Sequence, residues 1–478
     1  MPSQPGDGRL YIDGAFVPAA SGRTAAVTEK ATGRQIGTYA LGAAADVGRA
    51  VAAARRAQPG WARLAAPERA GYLRRFCGYL EAHYEELVEQ SMRETGGVRA
   101  KGEDEVGTSI RQLALSAVQV SEHAGDILPP YKAGKLSLSR AVPLGVLGLI
   151  TPWNYPMNLA MRALAPGLAF GNTVVLKPAE LTPVIGGQVL AAAAEFAGLP
   201  PGVLNVVTGD GPEAGWPLAR HQDVDMLDFT GSREVGLAIS RAAAGELRDI
   251  RLELGGSNAF VVLDDADVEL AASCAMIASL EFQGQTCISA SRHIVQRSVA
   301  GPYLDAVTSR AAALRVGDPF DAGTALGPLI SADQVDRLHR TIVEPSLAMG
   351  AKLLTGGTFD GLFYRPTVLT DVTPEMPAFR EEVFGPVVPV TVVDTEEEAV
   401  VLTNGLPMLM NSVFTRDLVR GLDVAERLQA GEVHVNDAHA RHGAENQMPG
   451  FTRRQWIGVQ RTPLNLPDWA QAPATQES

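Results

Sequence analysis

Cys287 stands out among the three cysteines of this 478-residue chain because its neighbours are polar. It lies in "EFQGQTCISASRH" (281–293), beside glycine, glutamine, threonine and serine. Cys77 and Cys274 lie in "LRRFCGYL" and "LAASCAMIASL", where a free cysteine is usually a small buried hydrophobe. A polar setting that contains glycine instead allows a thiol to meet a substrate. We therefore interpret Cys287 as a candidate nucleophile.

Two further polar residues could assist such a nucleophile, and both follow predicted buried strands. Glu253, in "RLELGGSN", ends an apolar run and is followed by glycines that leave space around it. A carboxylate in this place has either a buried partner or a chemical task, and desolvation would raise its pKa towards that of a water-activating base. Asn154, in "ITPWNYP", could donate its amide N–H to a developing oxyanion or could simply form a turn before Pro156.

Two glycine-containing segments could bind phosphate. "TGDGPEAG" contains Gly209 and "FTGSREVG" contains Gly231, and each follows an apolar strand and opens a helix. Free backbone N–H groups at a helix start suit an anion, although either glycine alone is more typical of a simple turn. Neither segment is the G-x-G-x-x-G fingerprint. Together, in one parallel sheet, they favour a bound nucleotide.

Lys177 and Glu180, in "VVLKPAE", come directly after another predicted buried strand. They could be a solvated loop pair, which is usual for lysine and glutamate. Alternatively, they could hydrogen-bond the hydroxyl groups of a ribose at the carboxyl end of the strand. A carboxylate there would repel a 2′-phosphate, so this interpretation favours NAD over NADP.

The surrounding pattern predicts two α/β domains, the first of nucleotide-binding type. Short alternating runs predict hairpins in the first forty residues, and helical spacing predicts helices over 44–56, 66–96 (as two helices) and 102–126. From Val146 onwards, apolar strand-like runs alternate with helical runs, as in a doubly wound parallel sheet. A second α/β alternation covers residues 258–435 and contains Cys287 near its start. A cleft between two such domains is the usual place for a site.

Composition and motifs argue against several other functions. The net charge of −13 would repel nucleic acid and anionic lipid, and no apolar run is long enough to span a bilayer. The N-terminus lacks the pattern of a secretion signal, and sparse cysteines fit a reducing compartment, so we expect a cytoplasmic protein. His434, His439 and His442 are bunched in "HVNDAHARH", but no CxxC or HExxH accompanies them. We predict no metal site there and, without a G-x-S-x-G elbow, no serine hydrolase.

These motifs together resemble the aldehyde dehydrogenase superfamily. The likeness runs from "ATGRQIG" (31–37) to "IGVQ" (457–460) and rests on "TPWNYP", "GNTVVLKPAELTP", "FTGSREVG", "LELGGSN", "GQTC" and "EEVFGPV". The separations also suit the family, with 99 residues from Asn154 to Glu253 and 34 from Glu253 to Cys287. "RALAPGLAFGN", "HVND" and "QMP" are most similar to the benzaldehyde, vanillin and salicylaldehyde dehydrogenases, which also carry an arginine at the position of Arg162.

The resemblance implies an α/β aldehyde dehydrogenase fold with three parts. These are a Rossmann-like parallel-sheet cofactor domain, an α/β catalytic domain and a small β oligomerisation element. We expect the cofactor domain in residues 1–126 and 142–255, the catalytic domain in 256–450, the oligomerisation element in 127–141 and 451–462, and a tail in 463–478. Because exposed strand edges seldom stay unpaired, the segments "ILPPYKAGKLSLSRAVP" and "FTRRQWIGVQ" are expected to pair across subunits of a homodimer or homotetramer.

The resemblance also implies a set of site residues. Cys287 would attack an aldehyde, Asn154 and the Cys287 backbone N–H would hold the oxyanion, and Glu253 would activate the water that hydrolyses the thioester. Glu253 speaks against acyl transfer to coenzyme A, since relatives that form acyl-CoA generally lack this base. The cofactor, NAD rather than NADP, would be bound by Thr151, Trp153, Lys177, Glu180, Gly209, Phe229, Gly231, Ser232, Leu254, Glu382 and Phe384.

Two departures from the family bear on the substrate. Most relatives carry P-F-G-G-x-K-x-S-G and a helix before the last strand, whereas here "QMPG" (447–450) runs straight into "FTRRQWIGVQ" (451–460). "NGLPMLMNSVF" (404–414) also replaces a family Tyr-Gly-Leu. Loss of a wall at the substrate mouth favours an aromatic or bulky apolar aldehyde, for example from secondary metabolism. The alternatives are a catalytically silent binding or scaffold protein and a cysteine-dependent thioesterase or esterase.

Overall fold

A computed structural model describes residues 6–121, 125–130, 132–245, 248–438 and 448–460. The strands are β1 (Leu10–Ile12), β2 (Ala15–Val17), β3 (Thr24–Thr28), β4 (Gln35–Ala40), β5 (Gly125–Leu128), β6 (Lys135–Pro143), β7 (Val146–Ile150), β8 (Thr173–Lys177), β9 (Leu204–Val206), β10 (Met226–Gly231), β11 (Asp249–Leu254), β12 (Asn258–Val262), β13 (Ala290–Gln296), β14 (Lys352–Thr355), β15 (Phe359–Asp360), β16 (Phe363–Tyr364), β17 (Thr367–Thr370), β18 (Val387–Val393), β19 (Met410–Phe414), β20 (Glu432–Val435) and β21 (Thr452–Gln460).

The α-helices are α1 (Ala44–Arg63), α2 (Ala66–Ala82), α3 (Tyr84–Thr95), α4 (Arg99–Gln119), α5 (Pro156–Ala169), α6 (Val189–Ala197), α7 (Trp216–Arg220), α8 (Arg233–Ala244), α9 (Val268–Leu280), α10 (Arg297–Ala313), α11 (Ala332–Asp336), α12 (Glu344–Ala348), α13 (Pro377–Arg380), α14 (Glu396–Asn404), α15 (Leu418–Arg427) and α16 (Met448–Phe451). Short π-helical or 3₁₀ turns cover Val184–Gln188, Gly211–Gly215, Glu281–Gly284 and Arg337–Val343. In the described part of the chain, no helix is both long enough and apolar enough to cross a membrane.

The first sheet has the predicted doubly wound topology. Its strand order is β11-β10-β7-β8-β9-β1-β2, and β7 to β11 are parallel. β7 and β8 are buried almost throughout because helices cover both faces, which explains their continuous apolar sequences. The chain leaves β7 towards β8 on one side and later returns to β10 on the other. The crevice between the carboxyl ends of β7 and β10 is therefore the switch point at which such sheets bind ligands.

The second sheet begins directly after the first. Its order is β14-β17-β18-β13-β12-β19-β20, and all of its pairs are parallel except β14 with β17. The step from β11 to β12 crosses between the two sheets over only Gly255–Ser257. This change of sheet supports the predicted domain boundary between residues 255 and 256, and the domain limits remain a prediction.

The third sheet corrects the expected pairing between subunits. β6 pairs with β5 on one side and with β21 on the other, all antiparallel and all within one chain. Trp456 on β21 and Ile127 on β5 are largely exposed. Both edges of β6 are thus paired within one chain, while β5 and β21 form the outer strands of this sheet. The prediction of intersubunit pairing between them was wrong, whereas the oligomeric state itself remains a prediction.

The C-terminal ends of two helices differ from the prediction. α1 continues to Arg63 rather than Arg56, and the helix predicted over 102–126 ends at Gln119, before β5 begins at Gly125. Near the C-terminus, α16 leads directly into β21, as expected if the loop and helix of relatives are missing. The predicted tail, 463–478, lies outside the described residues.

Candidate active site

The loop that carries Cys287 begins with an unusual backbone. Phe282, Gln283 and Gly284 have φ angles of 48°, 56° and 68°, so three successive residues are left-handed. Only glycine fits at position 284, because an added Cβ would lie 2.3 Å from the carbonyl oxygen of Gly385. Left-handed non-glycine residues are strained and persist where the surroundings fix them. The turn reverses the chain after α9 and delivers Cys287 to the start of β13.

Side-chain amides fix the rest of this loop. The Asn258 amide donates to the carbonyl oxygens of Cys287 and Ser289 at 2.8 and 3.0 Å. Its own oxygen accepts from the backbone N–H groups of Leu409 and Met410. Asn154 Nδ2 donates to the carbonyl oxygen of Gln285 at 3.1 Å, which links the end of β7 to the cysteine loop. An asparagine amide has two N–H groups, so this contact leaves one of them for another acceptor.

Burial, and to a smaller extent the neighbouring charges, determine the protonation of Cys287. Burial raises the pKa of the thiol, the carboxylates of Glu382 and Glu253 add to this increase and Arg162 opposes it, and together these effects bring the pKa to about 11. At neutral pH the thiol therefore carries its proton in this state of the protein. Glu382, Glu253 and Arg162 are therefore close enough to the sulfur for their charges to change its pKa.

Glu253 is half-buried and has two arginine neighbours. Its Oε1 accepts hydrogen bonds from Nε and Nη2 of Arg251 at 3.2 and 3.0 Å, and Arg162 Nη2 lies 3.9 Å away. Arg251 stands two residues earlier on β11, so the two side chains share one face of the strand. Its guanidinium also lies 5.7 Å from the ring centroid of the buried Phe451. Glu253 is thus a paired carboxylate connected to the C-terminal segment.

The strand ends of the first sheet gather the residues that were predicted to bind the cofactor. They occupy the carboxyl ends of parallel strands and the loops that follow, on one edge of the sheet. These residues are Thr151 and Trp153 after β7, Lys177 and Glu180 at and after β8, Gly209 after β9, Phe229, Gly231 and Ser232 at β10, and Leu254 at the end of β11. Ser232 caps α8 by accepting from the Val235 N–H, as a helix start beside a glycine predicts.

Packing explains two of these glycines without a ligand. A Cβ on Gly209 would lie 2.5 Å from the carbonyl oxygen of Gly42, and one on Gly231 would lie 2.6 Å from the ring of Phe229. The backbone of Gly42 therefore requires glycine at position 209, whereas at position 231 a larger residue would require the Phe229 ring to move. The sequence pattern predicted phosphate binding at Gly209 and Gly231 and did not reveal these packing contacts, and the cofactor role of the two glycines stays a prediction.

Glu382 and Phe384 reach the same edge from the second sheet. The Glu382 carboxylate lies against Gly255, where an added Cβ would come within 2.2 Å of Oε2. Trp153 and Phe384 meet edge to face, with ring centroids 5.5 Å apart. Phe384 has a φ of 49° and joins Gly385, which touches the cysteine loop. Both sheets therefore contribute to one cleft beside Cys287.

Unsatisfied oxygens in this cleft fit a nucleotide with ribose hydroxyls. Among the described residues, Thr151 Oγ1 and Glu382 Oε1 are buried without a hydrogen-bond partner, which native structures rarely tolerate. Burial raises the pKa of Glu382 to about 7, with Arg337 opposing. Lys177 Nζ contacts Glu180 Oε2 at 2.9 Å; burial opposes ionisation of Glu180, yet this ammonium keeps its pKa below the ordinary value.

Comparison with known proteins agrees with this geometry. A sequence model of the aldehyde dehydrogenase family matches residues 16–462. The chain belongs to the aldehyde dehydrogenase family. It is 40% identical to the NAD(+) benzaldehyde dehydrogenase of Pseudomonas putida, covering 94% of this chain and 96% of that protein. It is 41% identical to a vanillin dehydrogenase of Amycolatopsis, covering 90% and 88%.

Solved structures show the same fold. The aldehyde dehydrogenase is similar to the betaine aldehyde dehydrogenase of Staphylococcus aureus in complex with NAD+, with a TM-score of 0.93, 31% identity, and coverage of 98% of this chain and 97% of that chain. An NADP-dependent enzyme of E. coli matches with a TM-score of 0.91 and 31% identity, over 95% and 98% of the chains. The predicted family and fold are confirmed, and aldehyde oxidation with NAD or NADP is the activity of the family.

Several residues of this aldehyde dehydrogenase site were missed by sequence reasoning. Asn258 holds the carbonyl of Cys287, and Arg251 holds Glu253. The signals were present, since Asn258 ends the quoted "LELGGSN" and Arg251 begins "RLELGG". Neither motif tells which long-range partner the side chain meets. In the described part of the chain, no group of three or more histidine, cysteine or carboxylate side chains could hold a metal; His439 and His442 lie outside that part.

Proposed function

We propose that this aldehyde dehydrogenase oxidises an aromatic or otherwise bulky apolar aldehyde to its carboxylic acid, with NAD as the hydride acceptor. The observation that carries the proposal is the convergence of Asn154, Glu253 and Glu382, from three separate segments, around the loop of Cys287. Relatives named benzaldehyde and vanillin dehydrogenase support an aromatic substrate. The predicted absence of part of the substrate wall supports a bulky one.

Cys287 would act as the nucleophile. The thiol first releases its proton to water, and the thiolate then attacks the aldehyde carbon, so that a C–S bond forms and the carbonyl π electrons move to oxygen. The free N–H of Asn154 and the backbone N–H of Cys287 donate to that oxyanion. Arg162 is the cation whose charge already favours the thiolate, against burial and two carboxylates. The thiohemiacetal becomes a thioester with loss of a hydride, for which NAD supplies the acceptor when it is bound.

Glu253 would complete the cycle by hydrolysis. It accepts a proton from the water that attacks the thioester, the C–S bond breaks, and the acid and the Cys287 thiolate are released. Its hydrogen bonds to Arg251 hold the carboxylate on the face of β11 beside the cleft. This base supports release of a free acid rather than transfer to coenzyme A.

NAD would be held by residues at the ends of β8 and β10 and by the loop before β18. Lys177 and Glu180 would bind one ribose, Gly231 and Ser232 the phosphates, and Glu382 the other ribose. The unpartnered Glu382 Oε1 is an acceptor suited to a hydroxyl group. Glu180 would face the 2′-phosphate of NADP, and like charges there favour NAD. We further propose a cytoplasmic homodimer or homotetramer.

The test is NADH formation with a panel of aldehydes, from aliphatic and anionic through benzaldehydes to polycyclic ones. Wild type is compared with Cys287→Ala and with the control Cys274→Ala, which removes a thiol on α9. We expect turnover with aromatic aldehydes, its loss only in Cys287→Ala, and weak activity with NADP. Silence across the panel with NAD still bound would favour a binding or scaffold role. Ester hydrolysis without any NAD-dependent reaction would favour the cysteine esterase.

A further inference from the structure

A buried lysine lies behind the catalytic loop and has no part in the proposed chemistry. Lys101, on α4, has a relative exposure of only 2%. Its ammonium donates to Glu105 Oε2 at 2.5 Å and approaches the hydroxyl groups of Ser91 and Thr95 at 3.3 and 3.4 Å. Ser91 also donates to Glu105 Oε2. This is a fully enclosed ion pair with hydrogen-bonded support.

Two aromatic rings enclose the same ammonium. Lys101 Nζ lies 4.6 Å from the ring centroid of Tyr155 and 4.6 Å from that of Phe282. The two rings meet edge to face, with centroids 5.7 Å apart. Both distances are within the range of cation–π attraction, which strengthens where water is excluded. Gly97 closes this packing, since an added Cβ would touch both Lys101 and Phe282 at about 3 Å.

The rings belong to the two segments that must cooperate in the reaction. Tyr155 directly follows Asn154, the proposed donor to the oxyanion. Phe282 is the first left-handed residue of the turn that delivers Cys287. One ammonium therefore contacts both segments, although one follows a strand of the first sheet and the other precedes a strand of the second sheet.

Glu105 fixes the same arrangement from the other side. Its second oxygen, Oε1, accepts the backbone N–H of Met157 at 2.9 Å. Met157 is in the first turn of α5, which begins two residues after Asn154. Such an N–H has no partner within the helix, so the carboxylate satisfies it and anchors the helix start. Buried ion pairs contribute little net stability compared with apolar residues of similar size. The pair thus calls for an explanation other than stability.

We propose that Lys101 and Glu105 are a positioning pair that fixes the amide of Asn154 relative to Cys287, and so shapes the oxyanion site. The inference rests on the proposed function, because it assumes that Asn154 and Cys287 act together. Lys101 touches no substrate in this role. It acts through the Tyr155 and Phe282 rings, and Glu105 acts through the start of α5.

The test separates reactions at Cys287 by their need for an oxyanion site. Acylation by p-nitrophenyl acetate forms a C–S bond through a tetrahedral oxyanion and expels p-nitrophenolate. Alkylation by iodoacetamide forms a C–S bond and expels iodide without any oxyanion. Neither reaction needs a cofactor or the natural aldehyde. Cys287→Ala gives the background for both.

The variants are Lys101→Met, which keeps the length of the side chain, and Lys101→Met/Glu105→Gln, which also removes the buried carboxylate. We expect acylation to fall about 10- to 100-fold and alkylation to change less than about 2-fold. Asn154→Ala should give the same signature. Adding Lys101→Met to Asn154→Ala should cause little further loss, because a positioning residue has no effect once its target is gone.

Three results would overturn the inference. The first is an acylation rate within 2-fold of wild type in a folded variant. The second is an equal loss of acylation and alkylation. The third is full additivity of the losses in acylation caused by Lys101→Met and Asn154→Ala. If the lysine variants do not fold, Phe282→Leu leaves the ion pair in place, removes one ring and should show the same selective loss. Failure of the proposed function is distinguishable, because it is read from NAD-dependent aldehyde oxidation by wild type, whereas the inference is read from acylation relative to alkylation in the variants. A wild type that is acylated no faster than Cys287→Ala would overturn the inference as well.

Discussion

Glu253 and Glu382 approach the cysteine loop from different sheets and meet different surroundings. Glu253 lies at the end of β11 and shares its carboxylate with two arginines. Glu382 lies in the loop before β18, pressed against Gly255, with one oxygen that has no partner. Burial raises the pKa of Glu382 to about 7. The Glu253 carboxylate is thus paired with arginines of the protein, whereas one oxygen of the Glu382 carboxylate can still accept a hydrogen bond from a ligand.

The difference shows why a motif does not determine an electrostatic environment. The strand-end position and the following glycines predicted desolvation at Glu253. That expectation stays a prediction. The motif did not indicate that Arg251 and Arg162 lie beside the carboxylate. Burial raises the pKa of Glu382, although its sequence "EEVFGPV" contains three charges or prolines that suggest an exposed loop.

The largest expected effect separates the two carboxylates by role. Glu253→Gln should reduce steady-state turnover about 10²- to 10⁴-fold, the usual contribution of a general base, while one equivalent of NADH still forms in the first turnover. Rapid-mixing measurement of the NADH burst tests this. Glu382→Gln should not show a full burst followed by arrest. A lost burst in Glu253→Gln would mean that Glu253 acts before the thioester forms.

Glu382→Gln should weaken cofactor binding instead. Hydrogen bonds to a charged group contribute about 1.5–3 kcal/mol, so KM for NAD should rise about 10- to 100-fold with a smaller change in kcat. The matched control is Glu381→Gln, which changes the exposed neighbouring carboxylate. An unchanged KM for NAD in Glu382→Gln would remove Glu382 from the proposed cofactor site.

Arg251 sharpens the comparison because it pairs with Glu253, whereas the cation that acts on Glu382 is Arg337. Arg251→Met should lower turnover about 3- to 10-fold through loss of two hydrogen bonds that orient the base. KM for NAD should stay constant. Arg251→Lys keeps a cation and should recover part of the loss. Turnover of Arg251→Met equal to that of wild type would show that Glu253 needs no orientation by this residue.

The smallest effect concerns stability and pH. Because the pKa of Glu382 in the folded protein is raised to about 7, the folded state favours its protonated form. Its contribution to stability is full below the ordinary glutamate pKa and is lost as the pH rises through 7. Glu382→Gln should therefore raise the unfolding temperature by a few degrees at pH 8 and very little at pH 5. Equal shifts at both pH values would contradict a buried ionising Glu382.

The sequence predicted most of the elements that build the site. Lys177 and Gly231 end parallel strands as expected, because continuous apolar runs followed by glycine or proline are strong local signals. The end of α4 was missed, since the first glycine after the helical pattern is Gly125, well beyond the observed end at Gln119. β6 and β21 pair within one chain, whereas we predicted that they would pair between subunits. The sequence of an edge strand shows that it needs a partner strand but does not show which strand pairs with it.

The sequence by itself determined the family and the doubly wound class of the first sheet, and it nominated Cys287 as the nucleophile and Glu253 as the base, two roles that stay predictions. These depend on residue types at local spacings, which a linear motif records. Only the tertiary structure decided which carboxylate is desolvated, which arginines meet Glu253, and that Lys101 lies between Tyr155 and Phe282. Those facts depend on contacts between residues far apart in the chain, and burial and charge pairing arise only when such residues come together.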